Sequence, residues 1–152
     1  MQLLADQQAQ ESGLPPLEKW HPDLSGNMDM RIARDGTWYH EGDPIKREAM
    51  VKLFSTILVR EEDDYFLMTP VEKWRIQVED APFAVIALKV ENPGREQALV
   101  FTTNVGSKVV AGEDNPLWVL TAQGSDEPSP YVRVRKNLNG LISRSIFYQL
   151  VE

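Results

Sequence analysis

Arg31-Ile-Ala-Arg-Asp-Gly-Thr-Trp-Tyr-His-Glu-Gly-Asp-Pro-Ile-Lys-Arg47, with the residues on either side of it, decides how this chain folds. Met28, Met30 and Ile32 alternate with Asp29, Arg31 and Ala33, the period of a strand with one buried face. Asp35-Gly36 predicts a two-residue hairpin turn, because glycine tolerates the positive φ that such turns demand. Thr37, Trp38 and Tyr39 favour the returning strand. Asp43-Pro44 offers a helix N-cap and a first helical residue; a start nearer Lys46 is the alternative. Ala49, Met50, Leu53, Phe54, Ile57 and Leu58 then recur at helical spacing, with Lys46, Arg47, Lys52 and Arg60 off that stripe. The order is strand, turn, strand, helix.

The rest of the chain is read outward from this unit. Residues 1–19 form an N-terminal arm, rich in Gln and ending near Pro15-Pro16. Residues 20–71 form a first α+β lobe, closed by a short strand from Tyr65 to Thr69. Glu61-Glu62-Asp63-Asp64 is read as a solvated turn. Thr69-Pro70-Val71-Glu72 sets the lobe boundary, since proline donates nothing to a strand ladder.

The second lobe, residues 72–152, opens on a strand in which Trp74, Ile76 and Val78 alternate with Lys73, Arg75 and Gln77. Further strands are expected at Phe83–Val90, Ala98–Thr103, Lys108–Ala111, Leu117–Thr121 and Tyr131–Arg135, with a polar loop over Ala122–Pro130. Leu138, Leu141, Ile142, Ile146, Phe147 and Leu150 predict a closing helix. Short turns between strands imply an antiparallel meander, because parallel pairs need long crossovers. A bent meander closed by a C-terminal helix is the pleckstrin-homology-like architecture. Laying Arg47 on Arg135 superposes Met50 on Leu138, Leu53 on Leu141, Phe54 on Ile142 and Leu58 on Ile146, which points to an internal duplication. The fold class is therefore α+β, with two lobes related by a repeated strand-strand-helix motif.

Composition narrows the function classes. Lys plus Arg total 16 and Asp plus Glu total 23, a net charge of −7, which argues against broad binding to nucleic acid or to an anionic membrane. The absence of Cys excludes disulfides and Cys-based zinc sites. Met1-Gln-Leu-Leu-Ala-Asp has no basic stretch and no long apolar run, so neither a signal peptide nor a membrane span is expected, and a cytoplasmic location is.

No complete catalytic motif is present. Phosphate-loop and dinucleotide glycine patterns are missing, His21 and His40 lack metal-binding spacing, and no Ser stands in a nucleophile elbow. Ser55 sits within an apolar helix. No cofactor and no metal are expected. Arg133, Arg135 and Arg144, with Arg47 in the first lobe, form the most suggestive group, because guanidinium grips phosphate or carboxylate with two parallel bonds. The competing reading pairs them with acidic side chains or leaves them in solvent.

Trp20-His21-Pro22 and Met28-Asp29-Met30-Arg31-Ile32-Ala33-Arg34-Asp35-Gly36-Thr37-Trp38 are followed by Pro44-Ile45-x-Arg47, Leu53-Phe54-Ser55 and Thr69-Pro70-Val71-Glu72-Lys73. Val78-Glu79-Asp80-Ala81-Pro82, Thr102-Thr103-Asn104-Val105-Gly106, Val134-Arg135 and Phe147-Tyr148-x-Leu150-Val151 complete the series. In this order they resemble the bacterial family known as domain of unknown function 1285. The resemblance implies two domains related by duplication, the second similar to pleckstrin-homology-like folds. It also implies a nucleotide-like ligand between the lobes and a role in signal transduction.

Two departures stand out: Asn137-Leu138-Asn139-Gly140 opens the last helix weakly, and Asp114-Asn115-Pro116 replaces a His-Pro pair. On this reading Arg47, Arg135 and Lys73 supply charge, Trp38 or Tyr148 stacks, and Thr69, Glu72 and Asn104 make polar contacts. The alternatives are an interaction module for a signalling protein with no small ligand, and a metal-dependent phosphoester hydrolase.

Overall fold

The computed structural model describes residues 14–94, 96–121, 124 and 127–151. Most of the expected N-terminal arm and part of the loop over 122–130 lie outside the described residues. The chain forms two compact units. The first comprises residues 14–31 and Trp38–Gln77; the second comprises Ile32–Thr37 and residues 78–151. Among the described residues two six-stranded sheets and two α-helices make up most of the structure, and a duplicated layout fits it. Among the described residues no helix is long and apolar enough to cross a membrane.

The first sheet contains β1 (Gly26–Ile32), β2 (Trp38–His40), β3 (Asp43–Pro44), β4 (Leu58–Glu61), β5 (Asp64–Met68) and β6 (Lys73–Val78), in the order β3-β2-β1-β6-β5-β4. Its helix is α1 (Glu48–Thr56). The hairpin read from Asp35-Gly36 is present: the Gly36 amide donates to the Ala33 carbonyl at 2.9 Å, and Gly36 has φ +93°. The acidic run is the exposed turn of the β4–β5 hairpin, with Glu62 at φ 58°.

Three expectations are corrected here. Asp43-Pro44 does not open the helix but pairs with Tyr39 and His40, so the start near Lys46 is closer. Leu58 leaves the helix and begins β4, and Leu53 is exposed, so α1 buries a face centred on Ser55 and Phe54. Phe54 stacks on Trp38 at 6.2 Å between ring centroids. Thr69-Pro70-Val71-Glu72 is not a lobe boundary but the turn joining β5 to β6. Thr69 N–H donates to the Glu72 carbonyl at 2.8 Å, and Thr69 Oγ1 accepts from Glu72 N–H at 3.0 Å. Proline ends a strand without ending its sheet, because in a turn the missing donor is not needed.

The second sheet contains β7 (Phe83–Glu91), β8 (Ala98–Thr103), β9 (Lys108–Val110), β10 (Leu117–Thr121), β11 (Pro128–Arg135) and β12 (Leu138–Ile142), in the order β10-β11-β12-β7-β8-β9. Its helix is α2 (Arg144–Leu150). The sheet is not the all-antiparallel meander that was expected. β12 runs parallel to β7, pairing Gly140 with Phe83 and Ile142 with Val85, while the other pairings are antiparallel. Its core holds Phe83, Val85, Phe101, Val132, Leu138 and Ile142, with Ile146 of α2.

The expected helix from Leu138 is a strand over its first five residues. Lys136, at φ 51°, turns the chain back, and Arg135 pairs with Leu138. β12 is a central strand with most of its residues buried, so its apolar residues do not alternate, and their spacing imitates a helix. Gly140 fits because a Cβ there would lie 3.2 Å from Val134 Cγ2 and 3.3 Å from Val85 Cγ2. The overlay of Arg47 on Arg135 fails with it, since α1 follows Arg47 directly and α2 follows Ser143. Ser143 caps α2, its Oγ accepting from Ile146 N–H at 3.4 Å.

Candidate site in the second unit

A cavity of about 340 Å³ opens where the start of β7, the start of β11, the end of β12 and the start of α2 meet. Val85, Leu141, Ile142 and Phe147 give it an apolar floor, and Ile86 stands at its edge, 58% exposed. Arg34, Ser129, Ser143 and Arg144 bring the polar groups.

The Asp35-Gly36 turn delivers Arg34, which a short network then fixes. Arg34 Nε donates to Asp80 Oδ2 at 2.9 Å, and Nη2 donates to Ser129 Oγ at 3.0 Å. Its backbone N–H donates to Glu79 Oε1 at 3.2 Å. Tyr131 closes the network by donating from its hydroxyl to Asp80 Oδ1 at 2.8 Å. Burial, and then the bond and charge of Asp80, push the Tyr131 hydroxyl up to about 12. Arg144 Nη2 pairs with Glu127 Oε2 at 2.9 Å, on side chains that are 41% and 66% exposed.

Asn104 locks the turn from its far side. Its Oδ1 accepts from Ala84 N–H at 3.0 Å, and its Nδ2 donates to the Gly36 carbonyl at 2.9 Å. Glycine is required at 36 on two counts, a positive φ and a Cβ position only 2.8 Å from Asn104 Nδ2 and 2.9 Å from Ala84 Cβ.

None of the site residues named from the sequence lines this cavity. Arg47 is exposed at the start of α1. Lys73 is held by both carboxylate oxygens of Glu61, at 2.7 and 2.8 Å, with its ammonium 4.5 Å from the Phe66 ring centre. Trp38 is 1% exposed and is a core residue. Thr69 caps its own turn, and Glu72 Oε1 accepts from Trp74 Nε1 at 3.1 Å. Arg135 lies 5.1 Å from the Phe83 ring centre, and burial lowers its pKa from the ordinary value. Tyr148 is exposed beside Phe147.

Of the suggestive arginines, Arg133 braces the β11–β12 hairpin through Asn139 Oδ1 at 2.9 Å, and Arg144 alone reaches the cavity. Sequence reasoning missed Arg34, Ser129 and Ser143. The signals for two of them were present, the Asp35-Gly36 turn beside Arg34 and the capping serine before a short apolar helix. Among the described residues no group of three His, Asp or Glu side chains gathers to hold a metal.

Comparison with known proteins agrees along the whole described chain. Residues 15–81 match the family described as "Domain of unknown function (DUF1285), N-terminal domain", and residues 82–152 match "Protein of unknown function (DUF1285), C-terminal domain". A crystal structure of a DUF1285 family protein from Silicibacter pomeroyi DSS-3 is 53% identical, with a TM-score of 0.84 over 89% of this chain and 74% of that one. A second, from Shewanella baltica OS155, is 29% identical, with a TM-score of 0.62 over 80% of this chain and 89% of that one. No curated protein matched. With both family descriptions matched in order and a relative at 53% identity, the chain belongs to the DUF1285 family.

Proposed function

We propose that this chain is a non-catalytic, small-ligand-binding protein whose ligand is an anion seated in the cavity of the second unit. The observation that carries the reading is the pairing of an apolar floor with the Arg144 guanidinium at the rim, beside Arg34 held in place by Asp80 and Ser129. A few placed polar groups around an apolar cavity is the usual make-up of a small-molecule site, and the volume falls within the usual range. The nucleotide-like ligand and signalling role implied by the family resemblance are the first class to test. Arg47 and Arg135 remain the alternative contacts, and the pleckstrin-homology-like likeness of the second unit belongs to the same reading.

The test is a thermal-shift screen of the purified chain against nucleotides, cyclic dinucleotides, phosphate metabolites and organic carboxylates. A ligand at about one hundred times its Kd adds roughly 2.7 kcal/mol, which raises the midpoint by about 5–10 °C for a chain of this size. Ile86→Trp, at an exposed position on the cavity edge, should abolish the shift. A shift kept in Ile86→Trp and lost in the Arg47→Ala/Arg135→Ala double variant moves the contacts to those arginines.

A protein-interaction role is the second reading, favoured by β10. It is an edge strand that exposes Leu117, Val119 and Leu120. A flat screen with capture of a defined partner, lost in Val119→Lys, would select it.

A further inference from the structure

We infer, resting on the cavity reading above, that the ligand is a monocarboxylate with a short apolar body, and that Arg144 takes its carboxylate in exchange for Glu127. Size comes first. At about 340 Å³ the cavity is near the small end of the usual range for small-molecule sites, a size that suits an alkyl chain or one ring. The floor comes second. Val85, Leu141, Ile142 and Phe147 offer an apolar surface for the ligand's body, and the polar side chains, Asp35, Ser129, Ser143 and Arg144 among them, stand around it.

Charge is the third argument. Arg34 and Arg144 contribute +2, while Asp35, Glu79, Asp80 and Glu127 at or beside the cavity contribute −4, a net −2. A phosphate dianion would enter a neighbourhood that is already negative. A single carboxylate adds one negative charge rather than two, and it takes over the pairing with Arg144 that Glu127 gives up.

The two arginines are not equivalent. Arg34 is committed on Nε and Nη2 to Asp80 and Ser129, and Asp80 is braced in turn by Tyr131. Arg144 instead pairs with a carboxylate that is 66% exposed, and such exposed pairs contribute little net stability. Glu127 therefore meets the guanidinium as a ligand carboxylate would, and the planar fork of Arg144 suits either.

The experiment measures binding of octanoate, of neutral octanamide and of adenosine monophosphate by titration calorimetry. Wild type is compared with Arg144→Gln, Glu127→Gln and Ile86→Trp. Octanoate should bind at least about tenfold more tightly than octanamide, the margin of a charged hydrogen-bond acceptor. Arg144→Gln should remove that margin and leave octanamide unchanged. Glu127→Gln should tighten octanoate by about two- to fivefold, because the resident competitor is gone. Ile86→Trp should block both. Adenosine monophosphate bound in preference to octanoate and blocked by Ile86→Trp overturns the carboxylate assignment while the cavity reading stands. Octanoate bound equally by all four proteins, or no binding of any probe, overturns both.

Discussion

Asn104 was a candidate ligand contact on sequence grounds, and the geometry gives it a structural task instead. Both ends of its amide are used on backbone, Oδ1 on Ala84 N–H and Nδ2 on the Gly36 carbonyl. Asn104→Ala leaves these two half-buried groups without that partner. A stranded buried donor or acceptor costs about 1–3 kcal/mol, and partial access of water lowers the sum to about 2–4 kcal/mol. At about 2–4 °C per kcal/mol, a loss of 3 kcal/mol lowers the midpoint by roughly 6–12 °C. Urea unfolding followed by circular dichroism reads the same loss as a lower midpoint with an unchanged slope.

Asn104→Asp is the sharper variant. It keeps the acceptor for Ala84 but turns an oxygen toward the Gly36 carbonyl oxygen, 2.9 Å from the atom it replaces. That repulsion raises the introduced carboxyl's pKa in the folded state above its unfolded value. The penalty is therefore present at neutral pH and fades as pH falls through the raised folded pKa, where the protonated form can donate. An Asn104→Ala variant within about 0.5 kcal/mol of wild type would refute the structural role, since that is the range of an ordinary surface substitution. The same variant losing ligand at full stability would return Asn104 to the binding site.

Gly140→Val should cost more than about 2 kcal/mol in urea unfolding, because the branched side chain meets Val134 and Val85 in the parallel joint of the sheet. Lys73→Met should lower stability by about 1 kcal/mol and leave anion binding untouched, since Lys73 is occupied by Glu61 and lies over Phe66. In a spectrophotometric titration of the tyrosines, Tyr131 should ionise late, near 12. Its raised folded pKa holds stability in full below pH 10, the ordinary value, and loses it as pH rises toward 12, so Tyr131→Phe should flatten the stability profile over that window.

What the sequence revealed was local, and what it concealed was set by distant partners. The Asp35-Gly36 turn and the acidic turn were readable because each rests on neighbours a few residues away, and β8 and β10 because each is a short apolar run bounded by turn residues. β12 was misread because a central, buried strand and an amphipathic helix place apolar residues at overlapping intervals. Only the partners of Gly140, Val85 and Val134, distinguish the two. Pro70 was misread for a related reason: it marks the end of a ladder, and nothing local tells whether the next strand joins the same sheet.

The candidate site shows the same division. Arg34 meets Ser129 across 95 residues of sequence, and Asn104 meets Gly36 across 68. No spacing rule links such pairs. Counting arginines drew attention to Arg47 and Arg135 because they follow or precede apolar stripes. An arginine becomes a candidate for binding through its partners, and those depend on the fold. Arg133 is consumed by Asn139 and the Lys136 carbonyl, and Arg34 by Asp80 and Ser129. Among the described residues Arg144 pairs with an exposed carboxylate beside an apolar cavity, so the exchange of Glu127 for a ligand is the step on which the proposed binding turns. Glu127→Gln and Arg144→Gln therefore should move affinity in opposite directions, which a purely structural ion pair would not do.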